Sequence, residues 1–185
     1  QGNAEVVEEL IPALMNLGDV QKILQNLLRE RIPIRDLGTI LESLADHVRQ
    51  TKDPDALTEY ARQSLFRIIT RQYASADGAI HAVTLDPRLE QSLLASITRS
   101  ESGSFLSLDP KVAQRLLLAL TKQIEVLSRK GHAPLVLCSP LVRPTFKRLL
   151  DKVLPNLAVI SYNELDPKVE IQSAGSVKTG DEEKA

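Results

Sequence analysis

The chain has 185 residues, 43% apolar and 25% charged, enough to bury the core of one large or two small domains and too apolar for wholesale disorder. Aromatics are only 3%, with no Trp, so Leu, Ile, Val and Ala must fill the core and a stacking platform for single-stranded nucleic acid is disfavoured. Twenty-three basic against twenty-four acidic residues give a net charge of −1, which supplies no overall field toward nucleic acid or an anionic membrane.

Charge is uneven along the chain. Residues 1–77 hold nine basic and twelve acidic residues, 78–185 hold fourteen and twelve, and within 110–152 there are nine against two. Cys138 is the single cysteine, which excludes an internal disulfide and suits a reducing compartment. No apolar run reaches the roughly 20 residues of a membrane span, and no secretion signal is visible. The chain opens on Gln1 rather than Met, as expected of a processed form or a fragment.

In chain order, a helix interrupted by Pro12 is expected over Glu5–Leu14. Apolar residues then recur at helical spacing in three stripes: Val20, Ile23, Leu24, Leu27, Leu28; Leu37, Ile40, Leu41, Leu44, Val48; and Leu57, Ala61, Leu65, Ile68, Gln72. Breaks fall at Asn16–Gly18, Arg31–Pro33 and Thr51–Pro54, with Asp53 reading as an N-cap before Pro54. Residues 1–77 therefore read as a helical domain, closed by the turn-rich Ala74–Ala79.

The pattern then changes. Ile80–Leu85 reads as a strand, Asp86-Pro87 opens a helix to about Thr98, and Ser100–Ser104 reads as a loop. Asp109-Pro110 caps a long helix to Lys130, stopped by Gly131. Pro134–Cys138 is a strand, Ser139-Pro140 starts a helix to Val153, Leu157–Ser161 is another strand, and Val169–Gln172 an edge strand. Alternating strands and helices over 78–177 imply an α/β domain with a small, mainly parallel sheet. The fold class is α+β overall: a helical domain, an α/β domain, and a charged tail at 178–185.

Candidate chemistry is sparse. Cys138 sits where a strand meets a helix N-terminus, a place that lowers thiol pKa, but Pro-Leu-Val-Leu before it reads as buried packing. His47, His81 and His132 have no partner at metal-ligand spacing; His47 suits a helix C-terminus. No glycine cluster cradles a phosphate, and Asp53, Asp86 and Asp109 each precede Pro and read as caps. Neither catalytic residues, a cofactor nor a metal is expected.

Arg35 stands at the start of a helix, where the dipole disfavours a cation by about 0.3–1 kcal/mol. Asp36, Glu30 or a carboxylate on a neighbouring subunit would offset that. At 100° per residue, Ala113, Leu116, Leu117, Leu120, Ile124 and Leu127 share one face of the long helix, with Lys111, Arg115, Lys122 and Arg129 in an arc of about 40° opposite. Leu118 falls at about 340° on a wheel that puts Lys111 at zero and the apolar face at about 190°, so it is expected outward among cations. The last helix is read likewise, Val142, Phe146, Leu149, Leu150 and Val153 inward and Arg143, Lys147, Arg148 and Lys152 outward. A solvated helix face is the ordinary reading of such charges; the alternative makes Lys111, Arg115, Leu118 and Lys122 a candidate protein-docking surface for an acidic partner, an apolar anchor with a cationic rim.

The segment Val20-Gln-Lys-Ile-Leu-Gln-Asn-Leu-Leu-Arg-Glu-Arg-Ile-Pro-Ile-Arg-Asp-Leu-Gly-Thr-Ile-Leu-Glu-Ser-Leu-Ala-Asp46 resembles the FlhA family of flagellar and type III secretion export-gate proteins. Asp53-Pro54, Leu85-Asp-Pro-Arg-Leu-Glu90, Leu135-Val-Leu-Cys-Ser-Pro140 and Val159-Ile-Ser-Tyr-Asn-Glu164 extend the likeness over roughly residues 8–177. The resemblance implies the third and fourth subdomains of a cytoplasmic region that assembles as a nine-membered ring. It implies other copies of the same protein, export chaperones and substrates, and other export-apparatus proteins as partners. It places the chain on the cytoplasmic side of the bacterial inner membrane, touching membrane only through a domain absent here. Val169–Val177 looks more flagellar than injectisome, the injectisome homologue being the alternative. A nucleic-acid-binding helical domain fused to an α/β module is the rival of another class, opposed by the net acidic first half.

Overall fold

The computed structural model describes residues 3–100 and 103–178. The chain divides into a helical unit, up to Gln72 plus Asn163–Asp166, and an α/β unit, Tyr73–Tyr162 plus the chain from Pro167 onward. The division thus falls five residues before the expected boundary, and one later segment returns to the helical unit.

The helical unit contains α1 (Asn3–Leu10), α2 (Leu17–Arg29), α3 (Leu37–His47), α4 (Pro54–Ser64) and α5 (Phe66–Tyr73). The first helix stops two residues before Pro12, four short of the expected Leu14. Asn16 caps α2 by accepting from the Asp19 N–H at 2.8 Å, and Asp36 caps α3 by accepting from the Thr39 N–H at 3.2 Å. Asp53 caps α4 with Pro54 in its first turn. Two residues beyond α2, Arg31 stands at φ 60°, a left-handed position that glycine usually fills, with Ile32 N–H donating to the Leu27 carbonyl. Val20, Ile23, Leu27, Ile40, Leu41, Leu44, Leu57, Ala61 and Leu65 are buried as the stripes predict, while Leu28 and Leu37 are exposed. The third stripe breaks at Leu65, and the restarted α5 turns Ile69 inward in place of Ile68.

A buried ion cluster ties this unit together. Arg62 of α4 is 1% exposed and Glu164 is 0% exposed. The Arg62 Nε and one terminal nitrogen each donate to a different Glu164 oxygen at 2.8 Å, and the other donates to Glu30 Oε2 at 3.1 Å. Nearby, the Asp166 N–H donates to Thr70 Oγ1 at 2.8 Å.

The α/β unit holds β1 (Ile80–Leu85), α6 (Pro87–Ala95), β2 (Ile97–Ser100), β3 (Gly103–Leu106), α7 (Pro110–Arg129), β4 (Leu135–Cys138), α8 (Arg143–Leu150), β5 (Ala158–Ser161) and β6 (Ile171–Val177). The main sheet is fully parallel in the order β5-β4-β1-β6. Leu116, Leu120 and Leu127 of α7 and Phe146 and Leu150 of α8 pack with Val83, Val136 and Val159 into one core. Asp86 and Asp109 cap α6 and α7 as expected, and Gly131 follows α7 at φ 82°.

Three expectations are corrected. Helix α6 ends at Ala95, and β2 and β3 form an antiparallel hairpin where a helix end and a loop were expected; the Arg148 guanidinium donates to the Ser104 carbonyl within it. Helix α8 starts at Arg143 and stops at Leu150, three short of Val153. The edge strand runs to Val177 along the whole of β1, with a register shift at Ala82/Val83. The charged tail, apart from Lys178, lies outside the described residues.

Removing the Glu164 carboxylate leaves a guanidinium buried without its main partner. We expect Glu164→Ala to destabilise the helical unit by about 3–5 kcal/mol in urea denaturation followed by circular dichroism. Glu30→Ala, which removes the half-buried partner, should cost only about 1 kcal/mol.

Candidate docking surface

The α7 helix carries the surface the sequence singles out. Its buried stripe is Leu116, Leu120 and Leu127, spaced four and seven residues apart, so the helix can rotate only slightly without exposing one of them. That phase turns Lys111, Arg115, Leu118, Lys122 and Arg129 to solvent, and Leu118 is 65% exposed. Arg129 pairs with Glu125 at 3.8 Å on the exposed face.

Leu118 is not isolated. It lines an apolar groove of about 510 Å³ with Pro110, Ala113 and Leu117 of α7 and with Val153 and Leu154 beyond α8. Val153 is 54% exposed, against the inward place that helical phase gives it. The helix ends three residues earlier, and the turn that follows resets the direction of Val153. This second apolar member was missed in the sequence; Pro155, which discourages helix in the residue before it, was the available signal.

Of the expected basic face of the last helix only Lys152 is exposed, and it lies beyond the helix end, while Arg148 is half-buried. Arg143 and Lys147 are buried. One Arg143 guanidinium nitrogen donates to the Val159 carbonyl at 3.2 Å. Lys147 Nζ donates to the carbonyls of Pro155 at 3.3 Å and Leu157 at 3.0 Å and pairs with Asp151 at 2.8 Å. These contacts replace the water each cation loses and supply donors to carbonyls of β5 and of the turn before it. Cationic display is therefore concentrated on α7.

Arg35 and Asp36 lie in the helical unit and do not join this surface. Arg35 is exposed. Of its expected partners, Asp36 is engaged with Thr39 through both carboxylate oxygens and Glu30 with Arg62.

Cys138 is fully buried at the end of β4. Beside it, burial pushes the Glu90 carboxyl up, partly offset by the Ser139 N–H that it accepts at 2.8 Å. Burial, then the charges of Glu90 and Cys138, push the Tyr162 phenol up. His81 and His132 stack at 3.8 Å, and the hydrogen bond from His81 lowers the Asp77 carboxyl. Among the described residues, no three His, Cys, Asp or Glu side chains are grouped to hold a metal ion, and no helix is long and apolar enough to cross a membrane.

The family model for FHIPEP proteins matches residues 1–170. The chain belongs to the FHIPEP family. Flagellar biosynthesis protein FlhA of Bacillus subtilis is 42% identical over 172 residues, 93% of this chain and 25% of that protein. The Chlamydia pneumoniae CdsV structure is 33% identical with a TM-score of 0.87, covering 95% of this chain and 50% of that one; CdsV is also solved in complex with CdsO. The nonameric SctV-C of EPEC is 29% identical with a TM-score of 0.80, covering 94% and 52%. The chain thus spans a quarter of the length of its FlhA relative and about half of these solved chains.

Because Leu118 gains nothing from the core, Leu118→Ser should change stability by less than about 1 kcal/mol, whereas Lys147→Ala should cost about 1–3 kcal/mol by removing the donor to the Leu157 carbonyl in a buried contact. Parallel thermal and urea melts check both. Glu90 sets a pH signature as well. Its folded carboxyl holds a proton more tightly than the unfolded chain does, so stability falls as pH rises through and above 4.5. Glu90→Gln should remove that slope from a plot of melting temperature against pH.

Proposed function

We propose that this chain is part of the cytoplasmic region of a type III export gate, flagellar in kind, acting as ring scaffold and docking surface on the cytoplasmic side of the bacterial inner membrane. The observation that carries the docking role is the α7 groove: exposed Leu118 and Val153 over an apolar floor, with Lys111, Arg115 and Lys122 beside it. Such an anchor in a cationic rim suits an acidic amphipathic segment, the rim steering the approach and the apolar floor holding it. Export chaperones, substrates and other export-apparatus proteins are the partners in this reading, and the solved complex of CdsV with CdsO supports a protein partner.

The nonameric SctV-C supports a ring, to which the helical unit would contribute the exposed Arg35. The work is binding rather than covalent chemistry, a reading supported by the sealed position of Cys138.

The test is genetic and biochemical together. Leu118→Ser with Lys122→Glu, in the full-length protein of the parent bacterium, should leave protein level and melting temperature unchanged and sharply reduce secretion of flagellar filament protein. Arg35→Glu should reduce cross-linked oligomers while the fold is retained. Normal secretion and normal oligomers in these variants would contradict the two roles in turn.

A further inference from the structure

A second groove, of opposite character, opens in the helical unit between Glu42, Ser43, Asp46 and His47 of α3 and Tyr60 and Ser64 of α4. Its volume of about 370 Å³ lies at the small end of ligand pockets, roughly 300–1,000 Å³, and suits one inserted side chain. Its chemistry follows from where its hydrogens already go. Thr39, which also lines it, donates its hydroxyl to Asp36 at 2.8 Å, and Ser64 donates to the Ala61 carbonyl at 2.7 Å. His47 Nδ1 lies 2.8 Å from the Ser43 carbonyl; a carbonyl only accepts, so Nδ1 carries the hydrogen, and in that tautomer Nε2 is an acceptor. Each of these three groups has its hydrogen committed within the chain and only lone pairs left over.

Glu42 and Asp46 add exposed carboxylates at the rim, which accept only. Ser43 adds a second kind of observation. It is 6% exposed, and its hydroxyl oxygen is buried with no hydrogen-bond partner, in a helix where an orphaned polar atom is costly. A ring stack of His47 on Tyr60, 3.9 Å between centroids and 15° from parallel, supplies a flat wall.

Acceptors and negative charge outweigh the donors of Gln63 and Tyr60, which also line the groove, and with the flat aromatic wall they suit a planar cation with many donors. A guanidinium has five N–H donors, no acceptor and a face that stacks on aromatic rings; an ammonium has three donors and no face. We infer that this groove binds an arginine side chain presented by an exposed segment of a partner protein. The carboxylates of Glu42 and Asp46 hold the charge, and the fork reaches the Ser43 hydroxyl. This site is separate from α7 and of opposite sign, so it selects a basic segment where α7 selects an acidic one.

The test uses the 185-residue chain, labelled with nitrogen-15, and two capped pentapeptides: Ala-Ala-Arg-Ala-Ala, and the same sequence with neutral citrulline for arginine. The arginine peptide should shift amide resonances of residues 39–47 and 60–64 saturably, and the citrulline peptide should bind about tenfold more weakly. Glu42→Gln with Asp46→Asn, both on the surface, should lower affinity by a similar factor of about ten. Ser43→Ala should weaken binding about threefold with its melting temperature checked alongside. Equal binding of the two peptides, or unchanged affinity in the carboxylate variant, would overturn the proposal. So would sedimentation showing an oligomer of the parent chain that the carboxylate variant dissolves, because the groove would then hold a second copy of this chain.

Discussion

Arg62 is a guanidinium held away from water on a helix whose neighbours are Leu57, Ala61 and Leu65, and the helical unit is organised by the need to keep it charged and bonded. Leaving such a charge unpaired in a low-dielectric interior costs several kcal/mol. Two carboxylates from distant parts of the chain meet that demand: Glu30 at the end of α2, and Glu164, which lies 102 residues beyond Arg62. The two-pronged contact with Glu164 fixes direction as well as distance, since a planar fork meets a carboxylate well in few orientations. It also accounts for the return of Asn163–Asp166 to the helical unit after β5.

The same rule, that a cation goes where oxygens await it, sorts the basic residues of the α/β unit. Arg143, Lys147 and Arg148 sit on a short helix beside backbone carbonyls of β5, of the turn before β5 and of β3, and each turns toward them. On α7, Lys111, Arg115 and Lys122 lie opposite the stripe that packs on the sheet and stay in solvent. Two helices with nearly the same alternation of leucine and cation thus give one structural set of cations and one displayed set. Helix length separates them: 20 residues against eight. Over a long helix the buried stripe dictates rotation, whereas over two turns the neighbouring strand and turn carbonyls draw the cations in.

Much of the architecture was legible because it rests on local signals. The Asp-Pro caps of α4, α6 and α7, the strands β1, β4 and β5, and the outward place of Leu118 all follow from neighbours in sequence. What was illegible depends on distant partners or weak patterns. The hairpin of β2 and β3 is four residues a side, too short for a period to speak. The later part of β6, Ser173-Ala-Gly-Ser176, is small and polar, and its strand character comes from pairing with β1. Arg62 reads as one more surface cation until Glu164 is placed beside it. Val153 was placed by extending a helix that had already ended, which hid half of the apolar groove.

Site-specific photo-cross-linking in the cell reads directly whether α7 displays a docking face that the fold itself does not need. A photoreactive residue in place of Leu118 in the full-length protein should give one discrete adduct with a component or cargo of the export apparatus, identified by mass spectrometry, and Lys122→Glu should abolish it. The same residue in place of Ser128, exposed on the same helix, should give none. No adduct at position 118, or an identical adduct at position 128, would contradict the account.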